Sequence, residues 1–248
     1  MHIGVTVFNF EDGGLLPGGG YDFAPGIRAI AADPVYTDLV ILLEANQYGR
    51  DGETALHGFV NALSEAARVP LVGRLGELDR GDFAPALIWN PNSVVIEKWF
   101  GYGVHRIAEQ RVNYCEARVR DGKPFGVLLQ HWDDQCGGLR FTSAQQISWV
   151  AEEKIPVLVA GDFNCTASGA HEPERDFSLT PRSSRYHKGK WVHGDKSPVG
   201  PETEALDYLL GWWDSEDDER FGGIGMYDLG EMAALRYGEW DALLPTTN

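Results

Sequence analysis

Asp162 and Asn164 stand two residues apart at the end of the run Val157-Leu158-Val159-Ala160-Gly161-Asp162-Phe163-Asn164. A carboxylate beside a carboxamide can hold a nucleophilic water and an anionic oxygen, near a metal ion if one is bound. The run of small and β-branched apolar residues predicts a buried strand that delivers both groups at its C-terminal tip. Side chains alternate along an extended chain, so Asp162 and Asn164 are expected to point the same way, with Phe163 turned into the core. Alone the pattern says little, because Asp and Asn also favour turns.

Three other strand-like segments end in groups of the same kind. The run Ile3-Gly4-Val5-Thr6-Val7-Phe8 leads to Asn9, Leu39-Val40-Ile41-Leu42-Leu43 to Glu44, and Phe125-Gly126-Val127-Leu128-Leu129-Gln130 to His131. A buried strand rarely ends in a charge, since an unpaired one there costs several kcal/mol. Ligands of open α/β sheets gather beyond the strand ends. Each residue also has a plainer reading: Asn9 as a turn cap, Glu44 in an ion pair with Arg50, and His131 as a satisfied, partly buried histidine. The conjunction decides between them. Four strand tips carrying Asn, Glu, His and Asp-x-Asn in this order are hard to attribute to chance.

That order, Phe8-Asn9, Leu42-Leu43-Glu44, Gln130-His131 and Gly161-Asp162-Phe163-Asn164, resembles the endonuclease/exonuclease/phosphatase superfamily over roughly the first two thirds of the chain, to about residue 165. The resemblance implies an α/β, DNase I-like fold: a four-layer sandwich of two packed mixed β-sheets flanked by helices. It implies metal-dependent hydrolysis of a phosphodiester or phosphomonoester, making the chain a hydrolase of the phosphodiesterase or nuclease kind. Glu44 would be the principal ligand of Mg²⁺, or of Mn²⁺, supported by Asn9. Carboxylate and amide oxygens suit such a hard ion, which keeps waters and takes substrate phosphate oxygens. Asp162 would orient or deprotonate the attacking water, and Asn164 would hydrogen-bond the phosphate or the water. His131 would donate to the phosphoryl oxygens or assist proton transfer.

One departure from the family stands out. The chain closes Leu243-Leu244-Pro245-Thr246-Thr247-Asn248, without the Ser-Asp-His with which family members end. Leu206-Asp207-Tyr208-Leu209 resembles the strand that precedes that motif. Yet Leu206, Leu209, Leu210 and Trp213 recur at helical spacing, so a helix with Asp207 exposed is expected. The fold is therefore expected to be incomplete at its C-terminus. The chain is then a truncated product, one part of a split protein that a C-terminal polypeptide complements, or a divergent member that recruits another residue. His171, His187 and His193 are the candidates for that substitution. A catalytically impaired domain that binds a phosphorylated ligand or a partner protein is the alternative to an active enzyme.

Positioning these groups requires strands separated by helices. Strands are predicted over 2–10, 38–45, 69–74, 84–89, 94–99, 112–119, 125–132 and 157–163, with 84–99 as a hairpin around Asn90-Pro91-Asn92. Helices are predicted over 25–32, 53–67, 142–153, 202–213 and 229–237, the third opened by a capping box of Thr142 and Gln145. No repeat or linker interrupts the pattern, so residues 1–248 read as a single domain. The glycine-rich stretch 13–20 lacks the Gly-Lys-Ser/Thr ending of a nucleotide loop and reads as a flexible rim. The polar stretch 167–199 carries Arg175, Arg182, Arg185 and Lys188, either a cationic rim for a phosphate or a solvated loop balancing acidic neighbours.

Composition bounds the partners. A net charge of −16 over 248 residues argues against a broad electrostatic footprint on duplex nucleic acid, though a bound cation can reverse the field locally. Small phosphate esters are favoured over long duplexes as substrates, with nucleic acid kept open. No apolar run is long enough for a membrane span. The N-terminus lacks a signal pattern, and three cysteines without Cys-x-x-Cys spacing suit a reducing, cytoplasmic setting. Cys165, directly after Asn164, is a minor nucleophile candidate.

Overall fold

The protein is described by a computed structural model over residues 3–32, 38–77, 83–101, 111–169, 181, 187–190, 198 and 200–238. It divides into two compact units, one of Met1–His131 with Lys154–Asp162, the other of Trp132–Glu153 with Phe163–Asn248.

The first unit holds two four-stranded mixed sheets. Strands β1 (Val5–Asn9), β2 (Leu39–Asn46), β3 (Val72–Leu75) and β4 (Phe83–Trp89) form one in the order β1-β2-β4-β3, with β1 and β2 parallel and the rest antiparallel. Strands β5 (Val94–Phe100), β6 (Tyr114–Val119), β7 (Pro124–His131) and β8 (Val157–Asp162) form the other in chain order, with only β7 and β8 parallel. Helices α1 (Ala24–Ala31) and α2 (Thr54–Ala67) belong to this unit.

The sequence dictates how these layers stack. β2 is apolar at successive positions because both of its faces are covered. Val40 and Leu42 pack with Leu56, Phe59, Val60 and Leu63 of α2, whose spacing makes one helical stripe. Leu39, Ile41 and Leu43 face the second sheet and pack with Cys115, Val127, Leu129 and Ala160. The α/β sandwich of two packed mixed sheets with flanking helices is thus present.

The segment 84–99 is not a hairpin. β4 pairs with β2 and β3 while β5 pairs with β6, so the turn at Asn90–Ser93 carries the chain from one sheet to the other. Asp38 fixes that corner, accepting from the Gly4 N–H and from the Ser93 hydroxyl. A turn of Asn and Pro marks a reversal, but pairing is decided by which faces must be buried.

The second unit contains α3 (Gly137–Gln146), a 3-10 turn at Ser148–Glu152, the short ladder of β9 (Gly189–Lys190) with β10 (Gly200–Pro201), α4 (Glu204–Leu210), the hairpin of β11 (Trp212–Asp214) with β12 (Glu219–Phe221), and α5 (Leu229–Tyr237). Helix α3 starts five residues before the predicted capping box. The Thr142 hydroxyl bonds back to the Gly138 carbonyl, and Asp133 instead accepts from the Gln135 and Cys136 N–H groups ahead of the helix.

Asp207 corrects a second expectation. It lies on helix α4 but is buried, its Oδ1 accepting from the N–H and hydroxyl of Ser168 at 2.8 Å each. Arg220 stands 3.7 Å away, held by Glu231 and by the carbonyls of Gly211 and Ser168. The helical spacing of the leucines holds, but the network fixes which face turns inward. Among the described residues no helix is long and apolar enough to cross a membrane.

Candidate active site

Four of the five sequence-selected residues meet in the first unit. β1 ends at Asn9, and β7 and β8 end as register partners at His131 and Asp162. Glu44 reaches the same place differently. It sits inside β2 with φ +57°, where the register against β4 slips between Leu42 and Ala45. Such a bulge re-aims one side chain, and the left-handed conformation costs a non-glycine residue on the order of 1–3 kcal/mol. The strain is placed at the one residue of β2 that is neither apolar nor at the strand end.

The Asn9 carboxamide bridges the two carboxylates. Its Nδ2 donates to Glu44 Oε1 at 3.0 Å and to Asp162 Oδ2 at 3.1 Å, tying the ends of the two sheets together. His131 Nε2 stands 3.8 Å from Glu44 Oε1, and about a fifth of each side chain is accessible. The four groups form a polar cluster open to solvent and backed by the apolar layer between the sheets.

A local turn completes the setting of Glu44. Its Oε2 accepts the Asp12 N–H at 3.2 Å. Asp12 and Gly13 have φ of +54° and +60°, and a Cβ on Gly13 would meet the Asn46 nitrogen and the Glu44 carbonyl, each at 2.8 Å. The Tyr48 hydroxyl donates to the Gly13 carbonyl at 2.8 Å, and burial pushes its pKa well above the ordinary value of a phenol. The glycine-rich stretch is therefore half framework. Gly13 and Gly14 are packed, and only around Gly18, Gly19 and Gly20 is the space open. Sequence reasoning misses Asp12, Gly13 and Tyr48 because they act through backbone groups. The adjacent glycines were the available signal.

Gly161 explains the first residue of Gly-Asp-Phe-Asn. A Cβ there would lie 1.6 Å from the Gln130 carbonyl oxygen. No side chain fits where β8 approaches β7, and that approach brings Asp162 level with His131.

Asn164 has other partners. β8 ends at Asp162, and Asn164 has φ +53°, so strand alternation does not extend to it. It lies in the second unit, where it is buried and donates Nδ2 to the Trp132 carbonyl at 3.1 Å. Lys188 Nζ donates to its Oδ1 and to its carbonyl. Phe163 packs edge-on against Trp132. Of the substitutes for the absent Ser-Asp-His, His171 and His193 lie outside the described residues, as do Arg175, Arg182 and Arg185. His187 is described, and its carbonyl accepts from Arg140.

Among the described residues no group of three or more His, Cys, Asp or Glu side chains is arranged to cage a metal ion. The donors that are present do fit one metal chemistry. Two carboxylates and a carboxamide suit a hard ion of the magnesium type, which needs only one or two protein carboxylates and fills its shell with water and phosphate. Cys115 is buried and Cys136 exposed.

No protein-family model matches the chain, and comparison with curated proteins finds no match. Solved structures similar to it include an endonuclease/exonuclease/phosphatase family protein from Bacteroides thetaiotaomicron, at 16% identity and TM-score 0.41 over 58% of this chain and 56% of that one. Another is ANGEL2, a 2',3'-cyclic phosphatase, in complex with adenosine-2',3'-vanadate, at 14% identity and TM-score 0.40 over 58% and 44%. A third is a mannosyl-6-phosphatase from Bacteroides thetaiotaomicron, at 15% identity and TM-score 0.42 over 73% and 68%. The chain spans less than two thirds of the first two. The two sheets, their register and the four clustered residues bear on function more directly than these distant likenesses do.

Proposed function

We propose that this chain is a phosphoesterase of the DNase I-like endonuclease/exonuclease/phosphatase type, hydrolysing a phosphodiester or phosphomonoester with the aid of Mg²⁺ or Mn²⁺. The observation that carries the reading is the bridge from Asn9 to both Glu44 and Asp162, with His131 beside them. Residues from four strands of two sheets converge on one solvent-open point.

Asp162 is the group to orient the attacking water and take its proton as the oxygen–phosphorus bond forms. His131, across the β7–β8 ladder, hydrogen-bonds a phosphoryl oxygen or passes a proton toward the departing oxygen. Glu44 and Asn9 would hold the cation through their oxygen atoms, and the bulge at Glu44 sets the direction of that carboxylate. When bound, the ion supplies positive charge against the developing negative charge on the phosphoryl oxygens. The −16 charge of the chain favours small phosphodiesters, phospholipid headgroups or phosphorylated metabolites over long duplex DNA.

A second reading, phosphate or partner binding without turnover, is favoured by one observation. The Asn164 carboxamide is committed to Trp132 and Lys188. Hydrolysis of bis(p-nitrophenyl) phosphate and p-nitrophenyl phosphate by the 248-residue chain, in Mg²⁺, Mn²⁺ and chelator, separates the two. Sustained cation-dependent turnover supports the enzyme, whereas phosphate binding without turnover supports the second reading.

A further inference from the structure

Helix α5, in the second unit, turns small and charged residues inward and large apolar ones outward. Ala234 is buried, and Glu231 is held by Arg220, whose Nε donates to its two carboxylate oxygens at 2.8 and 3.1 Å. Arg220 also donates to the carbonyls of Gly211 and Ser168, so the inner face of the helix is tied to the β11–β12 hairpin. On the outer face Leu229, Met232 and Leu235 are 63%, 50% and 63% exposed. Residues three apart are neighbours on a helix surface, so these side chains form one continuous stripe. Tyr227 and Tyr237 stand exposed at its two ends. A surface helix of a globular protein ordinarily buries such a stripe and shows its charges to water. Contiguous apolar surface of this kind marks a contact site.

The stripe is symmetric about its own midpoint. Met232 lies three residues from both Leu229 and Leu235, four from Asp228 and Arg236, and five from Tyr227 and Tyr237. Leucine matches leucine and tyrosine matches tyrosine across this centre, while the one charged pair is of opposite sign. A surface that binds itself needs this pattern, because a two-fold contact brings residue i of one copy to residue j of the other, and j to i. The charges also sit at the ends of the helix in the favourable sense. Asp228 caps the N-terminus, its Oδ1 accepting from the Glu231 N–H at 3.0 Å, and Arg236 lies in the last turn. Set antiparallel, the acidic start of one helix meets the basic end of the other.

We propose that the outer face of α5 is a homodimer contact, in which the helices of two copies of this chain pack antiparallel about a two-fold axis at Met232. Met232 of one copy meets Met232 of the other, Leu229 packs toward Leu235, and Asp228 pairs with Arg236 at both ends. The flexible thioether adapts to the axis, where a side chain must pack against itself. A helix of 9 residues supplies a small contact, at the weak and reversible end of the interface scale, so association is expected at micromolar concentration. The inference does not depend on the phosphoesterase reading.

The test is sedimentation velocity of the 248-residue chain over about 1–200 μM, the range in which so small a contact should form and dissociate. A reversible monomer–dimer shift is expected. Met232→Glu sets two carboxylates against each other at the axis and should weaken the dimer about tenfold or more. Arg236→Asp and Asp228→Arg each place like charges at both ends of the contact, so each alone should weaken it. Their equimolar mixture regains opposite charges at both ends and should form a heterodimer about as tight as the parent dimer. Met232→Glu and Arg236→Asp replace exposed side chains and keep the Asp228 cap, so their outcome stands even if Asp228→Arg loses its helix. A parent that stays monomeric throughout the range overturns the proposal. So does a dimer that survives Met232→Glu or Arg236→Asp unchanged, or a mixture of folded charge variants no tighter than its components. A monomer in which hydrogen peroxide oxidises Met232 only on unfolding would give the stripe to another part of the same chain, which also overturns it.

Discussion

Asn9 and Asp162 are 153 residues apart in the chain, yet the carboxamide of the first donates to the carboxylate of the second at 3.1 Å. One belongs to the first sheet and the other to the second, so this bond fixes where the open end of the sandwich lies. Glu44 shares the same amide nitrogen and is thereby placed against Asp162 without contacting it through its own strand.

The register that sets Asp162 opposite His131 depends on an absent side chain. Gly161→Ala is expected to cost about 1–3 kcal/mol or more, the range for forcing an extra methyl into a packed site. Gly200→Ala, at a position with nothing within 4 Å, should stay within about 0.5 kcal/mol. Urea unfolding of both variants is the measurement, and equal midpoints would contradict the close approach at Gln130.

Tyr48 anchors the turn that presents the Asp12 N–H to Glu44. Removing its hydroxyl in Tyr48→Phe leaves the Gly13 carbonyl without this buried donor, at a cost of about 1–3 kcal/mol. Activity should fall with stability, because the Glu44 carboxylate loses a fixed partner. A variant with parental unfolding and parental kcat/KM would show that the turn plays no part.

The apolar layer under the first sheet is equally exposed to test. Phe59 has no accessible surface and lies 5.4 Å from the Phe23 ring and 6.1 Å from the Phe10 ring. Phe59→Ala should cost about 3–5 kcal/mol through lost transfer energy and the cavity left behind. A loss below about 1 kcal/mol in thermal or urea unfolding would mean the site collapses freely, against the close packing of those rings.

Much of this layer is legible directly in the sequence. The unbroken apolar run of β2 and the stripe Leu56, Phe59, Val60, Leu63 announce their own burial. So do the strand ends at Asn9, His131 and Asp162, because a polar residue closing an apolar run has few places to go. What escapes is non-local. The pairing of β4 and β5 depends on which faces need covering, not on the turn between them. Asp207 cannot be distinguished from an exposed helical residue without Ser168 and Arg220, far away in sequence. Strand alternation predicts the direction of the Asn164 carboxamide, and that rule stops where β8 stops.

Alkaline pH should destabilise the fold in a predictable window. Burial pushes the Cys115 thiol up to about 12 from 9.0, and burial likewise raises Tyr48 well above 10.0. Both groups are neutral when folded, while the unfolded chain begins to release these protons near 9 and 10. Their contribution is therefore intact below about pH 9, and lost as pH rises from there through the folded values. Each costs up to about 1.4 kcal/mol per pH unit within its window. Unfolding midpoints at pH 8, 9.5 and 10.5 should fall progressively. At pH 8 a thiol reagent should modify exposed Cys136 readily and Cys115 only on unfolding, and rapid modification of Cys115 in the folded chain would contradict its burial.

The most direct test of a single shared site is a double-mutant cycle on kcat/KM with Mg²⁺ and bis(p-nitrophenyl) phosphate. It uses the parent, Glu44→Gln, Asp162→Asn and the double variant. Each single change should lower kcat/KM by about 100-fold or more, and the double change should cost little beyond the worse single one, as for residues acting as a unit. Single variants as active as the parent, or losses that simply multiply, would contradict a site in which Glu44 and Asp162 work together through Asn9.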